Sequence, residues 1–306
     1  MEKKYDIIII GAGPAGLTAA IYAARSGAKV LVVEYQMLGG QASLAYNVQN
    51  FPGFLSISGM DLAMKMHEQV EKLGVKICYD EVKAVNLEEK WVEVSTEKFF
   101  AKSIILAMGA GARKLSLDNE DRLTGSGVAY CAVCDGAFYK NEKVVIVGGG
   151  NSAVGEAIYL SPIAKSIILV NNLDKFTCDK ILEEELNLFM KKSDIIKVYH
   201  GHVVKEIVGD SSLEKIIISN VKTNEIKEIE CKGMFISIGR KPDTDIIKNQ
   251  ITLDKHGYII TDEDMHTSVD GVFAAGDIRV KSLRQIITAC GDGAIAGTKA
   301  SHYINN

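Results

Sequence analysis

Residues 5–34 read YDIIIIGAGPAGLTAAIYAARSGAKVLVVE. Four isoleucines run into a glycine turn. A small-residue stretch follows, with Leu17, Ala20, Ile21 and Ala24 at helical spacing, and then a second apolar run. Apolar runs without alternation suit strands of a parallel sheet covered on both faces. Gly27 is placed to stop the helix. Gly11, Gly13 and Gly16, with Pro14 and Ala15 between them, form a G-x-G-x-x-G turn. Such glycines permit a tight turn, let a pyrophosphate approach the backbone and let the helix pack on the sheet; the helix N-terminus favours the anion. Glu34 ends the second run, where an acid accepts from ribose hydroxyls. The stretch predicts a dinucleotide-binding unit.

Residues 143–171, KVVIVGGGNSAVGEAIYLSPIAKSIILVN, repeat the plan with Gly148, Gly150 and Ala153 as G-x-G-x-x-A. The fold class is therefore α/β, with two Rossmann-like dinucleotide-binding domains. The second copy ends differently. Where an acid would read a free 2′-OH, or cations a 2′-phosphate, the chain has Asn171, Asn172 and Leu173. Asp174 comes three residues late, within reach only if the loop folds back. Lys175 is one flexible point charge.

The chain has 306 residues, 47% hydrophobic and 24% charged, with a formal charge of −4. That describes a globular protein with room for two domains and argues against nucleic-acid binding, which favours a basic face. The N-terminal apolar run is too short for a signal or spanning segment, so a cytoplasmic location is expected and no membrane association. Six cysteines fall at 78, 131, 134, 178, 231 and 290. The four isolated ones are expected to be buried small hydrophobes.

Cys131 and Cys134 form C-A-V-C, followed by Asp135. No second C-x-x-C and no nearby histidine pair points to zinc. The spacing suits a redox disulfide with one acidified thiol, and Asp135 is placed to move a proton. His67 lies on a predicted helix. His200 and His202 alternate in YHGHVV, which predicts one strand face. With no third ligand nearby, hydrogen-bonded or solvated histidines are expected and no metal. Met60, Met64 and Met66 are expected in the core.

Together GAGPAGLTAAIYAARSG (11–27), GGQ (39–41), NVQNFPGF (47–54), CAVCDGAFYK (131–140), VVIVGGGNSA (144–153) and the segment from GVFAAGDIR (271–279) through LRQIITACGDGAIA (283–296) resemble the low-molecular-weight, bacterial-type thioredoxin reductases. The resemblance spans nearly the whole chain. It implies an FAD-binding domain built from residues 1–112 and 241–306, and a pyridine-nucleotide-type domain, residues 113–240, that carries the dithiol. By the same resemblance the first fingerprint, Glu34, Gly40, Gln41, Asn50, Gly276 and Asp277 hold FAD, and Arg284, Gln285 and Ala289 line its ring. Cys134 would face the flavin, Cys131 would attack thioredoxin, and Asp135 would serve as acid and base. Members are typically homodimers whose two domains rotate.

The family's second site carries His-Arg-Arg and a further Arg for the phosphate of NADPH. The matching positions here are Asn171, Asn172, Leu173 and Thr177, and Gly155 replaces a family glutamate. Ferredoxin or another protein donor, as in a known branch of the family, accounts for the absence of both signatures. NADPH or NADH through an altered site are the alternatives. A flavin oxidoreductase without a dithiol relay, or a non-catalytic flavin protein, are the competing classes.

Overall fold

The isoleucine run of the opening stretch becomes the central strand of a five-stranded parallel sheet. Ile7–Ile10 pairs with Val30–Glu34 on one side and with Ser103–Leu106 on the other. Lys76–Tyr79 and Val272–Ala274 close the two edges, so the last strand returns from far along the chain. All four isoleucines are buried, each stabilising the fold by about 1.5–3 kcal/mol relative to exposure. The structure is a computed structural model and describes residues 3–45 and 48–305, without the side chains of Val133 and Cys134. Asn47, at the head of the NVQNFPGF motif, lies outside the described residues.

The chain divides into two units, Met1–Gly111 with Lys241–Asn306, and Ala112–Arg240. In the first unit, Pro14–Arg25 is the helix that the sequence predicts, with Pro14 at its start and Gly27 beyond its end in the left-handed region (φ 87°). It packs against the C-terminal helix Ile286–Asn305 through glycine. A Cβ on Gly293 would stand 2.1 Å from the Ala15 carbonyl oxygen, and one on Gly297 2.5 Å from that of Ala19. The two helices thus pack backbone against backbone.

The second unit repeats the sheet. Lys143–Val147 is central, with Ser166–Asn171 and Ile196–His200 on one side and Gly233–Ile236 and Val128–Ala129 on the other, all parallel. An antiparallel meander of His202–Val208, Lys215–Asn220 and Ile226–Glu230 is added to it. No helix of the described residues is long and apolar enough to cross a membrane.

Three sequence expectations are revised. On the helix Gly59–Lys72, Leu62, Met66 and Val70 are buried, but Met60 and Met64 are exposed, as is Leu73 just past its end. Met60 and Met64 fall off the i, i+4 stripe of Leu62, while Leu73 continues its line but lies past the helix end. His200 and His202 do not share a strand face, because Gly201 turns the chain (φ 65°) so that one ends a strand and the other opens the next. The His200 ring packs on Phe176, and the His202 ring on Tyr199. Of the isolated cysteines only Cys231 is buried; Cys78, Cys178 and Cys290 are partly exposed.

Candidate functional site

At the first glycine turn each glycine has a separate physical task. Gly11 takes φ 104°, and a Cβ there would lie 2.4 Å from the Ala107 carbonyl oxygen. A Cβ on Gly16 would lie 1.9 Å from the Gly11 oxygen, so Gly16 lets the helix start close under the turn. Around Gly13 a Cβ would meet nothing within 4 Å, which leaves its backbone approachable by a phosphate at the helix N-terminus. Glu34 reaches the turn from the end of its strand. Its carboxylate accepts from Ala12 N–H at 2.7 Å, and from Tyr35 and Gln36 N–H at 2.9 and 2.8 Å.

Distant segments meet this turn. Gly39 N–H donates to the Ala12 carbonyl at 2.9 Å, which docks the Gly39–Gly40–Gln41 segment; a Cβ on Gly40 would stand 3.4 Å from Gly13 Cα. Gly276 takes φ 83°, and its Cβ would lie 2.8 Å from that of Ala15 and 3.7 Å from that of Ala289. Asp277 occupies the short turn Gly276–Ile278. Asn50 Nδ2 donates to Gln285 Oε1 at 3.1 Å, joining residues 235 apart in the chain. Arg284 stacks over Tyr258 at 4.1 Å, while its Nε is buried with no hydrogen-bond partner among the described residues. An approachable turn, an acid on it, converging polar segments and a buried donor without a partner fit FAD.

One feature of this site went unread in the sequence. Asp292, nearly buried on the C-terminal helix, accepts from Gly276 N–H at 3.0 Å and from Lys281 Nζ at 2.7 Å, with Arg279 Nε at 3.3 Å. One carboxylate thus ties down the Gly276–Asp277 segment and pairs with two largely buried cations. The available signal was an acid inside a small-residue run, GDG. Asp292→Asn would leave those cations uncompensated, and breaking such a buried cluster costs about 3–5 kcal/mol. The expected result is a lower melting temperature and a reduced flavin-to-protein absorbance ratio in the purified protein.

In the second unit Cys131 is disulfide-bonded, while Cys178 and Cys231 are free, as are Cys78 and Cys290 in the first. Burial pushes the Cys231 thiol up to about 12, so it is no nucleophile at neutral pH. Backbone residues Ala132–Asp135 form one helical turn, with Asp135 N–H donating to the Cys131 carbonyl at 3.1 Å. The side chain of Cys134 lies outside the described residues. Asp135 is partly buried, and desolvation raises its carboxyl above the ordinary range, toward pH values where it carries a proton. Immediately before the motif, Tyr130 donates to buried Glu120 at 2.7 Å. Glu120 also accepts from Leu115 and Leu117 N–H, so the dithiol's leading edge is anchored.

The second glycine turn keeps its backbone form but is engaged by its own chain. Asn171 is buried, and a Cβ on Gly149 would stand only 2.5 Å from its side chain. Asn171 therefore sits on its turn as Glu34 sits on the first. It is engaged by its own loop, however: Nδ2 donates to the Lys175 carbonyl at 2.9 Å and meets His200 Nδ1 at 3.3 Å, and Oδ1 accepts from Leu173 N–H at 3.2 Å. Thr177 N–H donates to the Gly149 carbonyl at 2.8 Å, and Asn151 and Asp179 exchange two hydrogen bonds. Asp174 does not fold back to the turn, since it pairs with Lys222 at 2.7 Å. Among the described residues no group of three or more His, Cys, Asp and Glu could hold a metal.

Two Rossmann-like units, one with a redox-type cysteine motif beside its glycine turn, define a disulfide oxidoreductase of the two-dinucleotide kind. The chain belongs to the pyridine nucleotide-disulphide oxidoreductase family, whose model matches residues 5–293. It is 44% identical to the 34.2 kDa protein in the rubredoxin operon of Clostridium pasteurianum, over 99% of this chain and 98% of that one. It is 42% identical to a thioredoxin reductase of Peptoclostridium acidaminophilum, with the same coverage. Among solved structures it is similar to Lactococcus lactis thioredoxin reductase in the FR conformation, with a TM-score of 0.92, 39% identity, and coverage of 98% of this chain and 99% of that one.

Proposed function

We propose that this chain is an FAD-dependent thioredoxin reductase that takes its electrons from ferredoxin or another reduced protein, in place of NADPH or NADH. The observation that carries the donor reading is the closed network of Asn171. The residue at the ribose-reading position has both amide N–H groups engaged and its oxygen bonded to Leu173 N–H, and no cation follows it at 172, 173 or 177. Each lost charge-assisted contact to a 2′-phosphate is worth about 1.5–3 kcal/mol, so NADPH binding weakens by orders of magnitude.

In this reading Gly11, Gly13, Pro14, Ala15 and Gly16 seat the FAD pyrophosphate, and Glu34 holds the ribose. Gly40, Gln41, Asn50, Gly276 and Asp277 hold the middle of the cofactor, with Arg284, Gln285 and Ala289 along its ring. FAD, when bound, supplies the electron pair that opens the dithiol's disulfide. The chain's own chemistry is thiol exchange. The Cys131 thiolate attacks one sulfur of oxidised thioredoxin, whose S–S bond breaks as a mixed disulfide forms. Cys134 then attacks the Cys131 sulfur and releases reduced thioredoxin; the two dithiol protons end on the two product thiols. Asp135, held up in its affinity for protons by burial, takes and returns a proton as Cys134 changes state. The working unit in this reading is a cytoplasmic homodimer.

Anaerobic reduction of the bound flavin tests the donor. With NADPH, NADH and reduced ferredoxin compared side by side, complete bleaching is expected with ferredoxin and only slow, partial bleaching with either nucleotide. Rapid bleaching by micromolar NADPH would overturn it.

A further inference from the structure

The helix that follows the second glycine turn, Asn151–Leu160, carries a carboxyl with no part in the proposed exchange. Glu156 is partly buried; one of its oxygens accepts from the Ser237 hydroxyl, and the carboxylate also takes the backbone N–H of Ala132. That N–H belongs to the peptide bond joining Ala132 to Cys131. The carboxyl is therefore linked, through one peptide unit, to a redox cysteine.

We infer that Glu156 is a positioning residue for the dithiol, setting the acidity of the Cys131 thiol through the Cys131–Ala132 peptide. The inference rests on the reading of Cys131 as the attacking thiol. An anionic Glu156 opposes a thiolate nearby by like-charge repulsion and holds the Ala132 N–H strongly; a neutral carboxyl exerts no such repulsion and accepts that N–H more weakly. Desolvation raises the Glu156 carboxyl above its ordinary range, while Ser237, the Ala132 N–H and the charge of Arg240 pull it back. The charged group acting on it is Arg240, and the titratable groups of the segment it bonds are Cys131 and Asp135. Carboxyl and thiol then lose their protons as a coupled pair, in two macroscopic steps.

The test is the pH dependence of alkylation of the reduced holoenzyme by iodoacetamide under anaerobic conditions, with the labelled cysteine identified by peptide mass. Wild type is expected to show two steps in the Cys131 rate between pH 5 and 10. Glu156→Gln keeps the shape but not the charge, and should give one step, with a rate at pH 7 raised about tenfold for each pKa unit removed. Ser237→Ala removes a donor to the carboxylate and should keep both steps, the carboxyl step moving to higher pH. A loss of packing alone would change stability without changing the number of steps. Superimposable profiles for wild type and Glu156→Gln overturn the inference; so does an unshifted profile in Ser237→Ala should Glu156→Gln fail to fold. Label appearing first on Cys134 instead overturns the assignment of the attacking thiol, and is read from the mass map independently of the step count.

Discussion

Cys134→Ser is expected to bring thioredoxin reduction down to the background of free flavin, with the FAD still bound and still reoxidised by oxygen at an undiminished rate. The two activities separate because they need different parts of the chain. In the proposed reading flavin retention rests on the first unit: the Gly11–Gly16 turn, Glu34, and the cluster of Asp292 with Lys281 and Arg279, none of which involves a cysteine. Disulfide reduction needs two sulfurs, because the mixed disulfide is resolved only by a second thiolate. A serine hydroxyl neither forms that bond nor ionises near neutral pH. Cys131→Ser should fail equally in turnover. The remaining thiols offer no rescue: Cys231 is buried with its thiol raised to about 12, and burial also raises Cys78, Cys178 and Cys290. The assay is paired, with thioredoxin-coupled thiol release against oxygen consumption on the same preparation. Retained thioredoxin reduction in Cys134→Ser would remove the dithiol from the reaction, and loss of both activities would show that the dithiol unit also supports the flavin site.

The parts of this site that spacing makes local were legible in the sequence. Gly11, Gly13, Gly16 and Glu34 fall within one strand–turn–helix–strand, and their tasks follow from the turn's geometry before any tertiary contact is known. Asn50 and Gln285 were singled out only through resemblance, and their contact, which has no local signal, came from the structure. Asp292 and Glu156 were missed for a related reason. On a helix, one acid among small or apolar residues looks the same whether it faces solvent or takes a backbone N–H from another segment. The histidine pair misled because Gly201 was read as a strand residue, although glycine is the residue that accommodates the φ of 65° found there. Asn171 lies between these cases. Its chemistry, neither acid nor base, was plain from the sequence; that its amide is held by its own loop required residues 172–177 to be seen closing on it.

That distinction sets the second large expected effect. If missing charge alone keeps NADPH out, the triple variant Asn172→Arg, Leu173→Arg, Thr177→Arg should bind NADPH and drive thioredoxin reduction with it. All three positions are exposed, so the substitutions meet no packing penalty. Each new contact to the 2′-phosphate is worth about 1.5–3 kcal/mol, a gain of roughly tenfold to a hundredfold in affinity per arginine. The gain should shrink as salt rises, because exposed charges are screened over about 8–10 Å at physiological ionic strength. Asn171 stays in place in this variant, and that is its purpose. Should the triple variant remain inert toward NADPH while adding Asn171→Ala makes it responsive, the obstacle is the closed network on the Gly149 turn and not the absent cations. Opening that network forfeits three hydrogen bonds at about 1 kcal/mol each, a loss a folded domain tolerates. NADPH titrations of flavin absorbance on both variants, at low and high salt, decide between charge and closure. A response in neither would mean that the second glycine turn no longer seats a nucleotide at all, and that its strand–helix packing is what the chain retains it for.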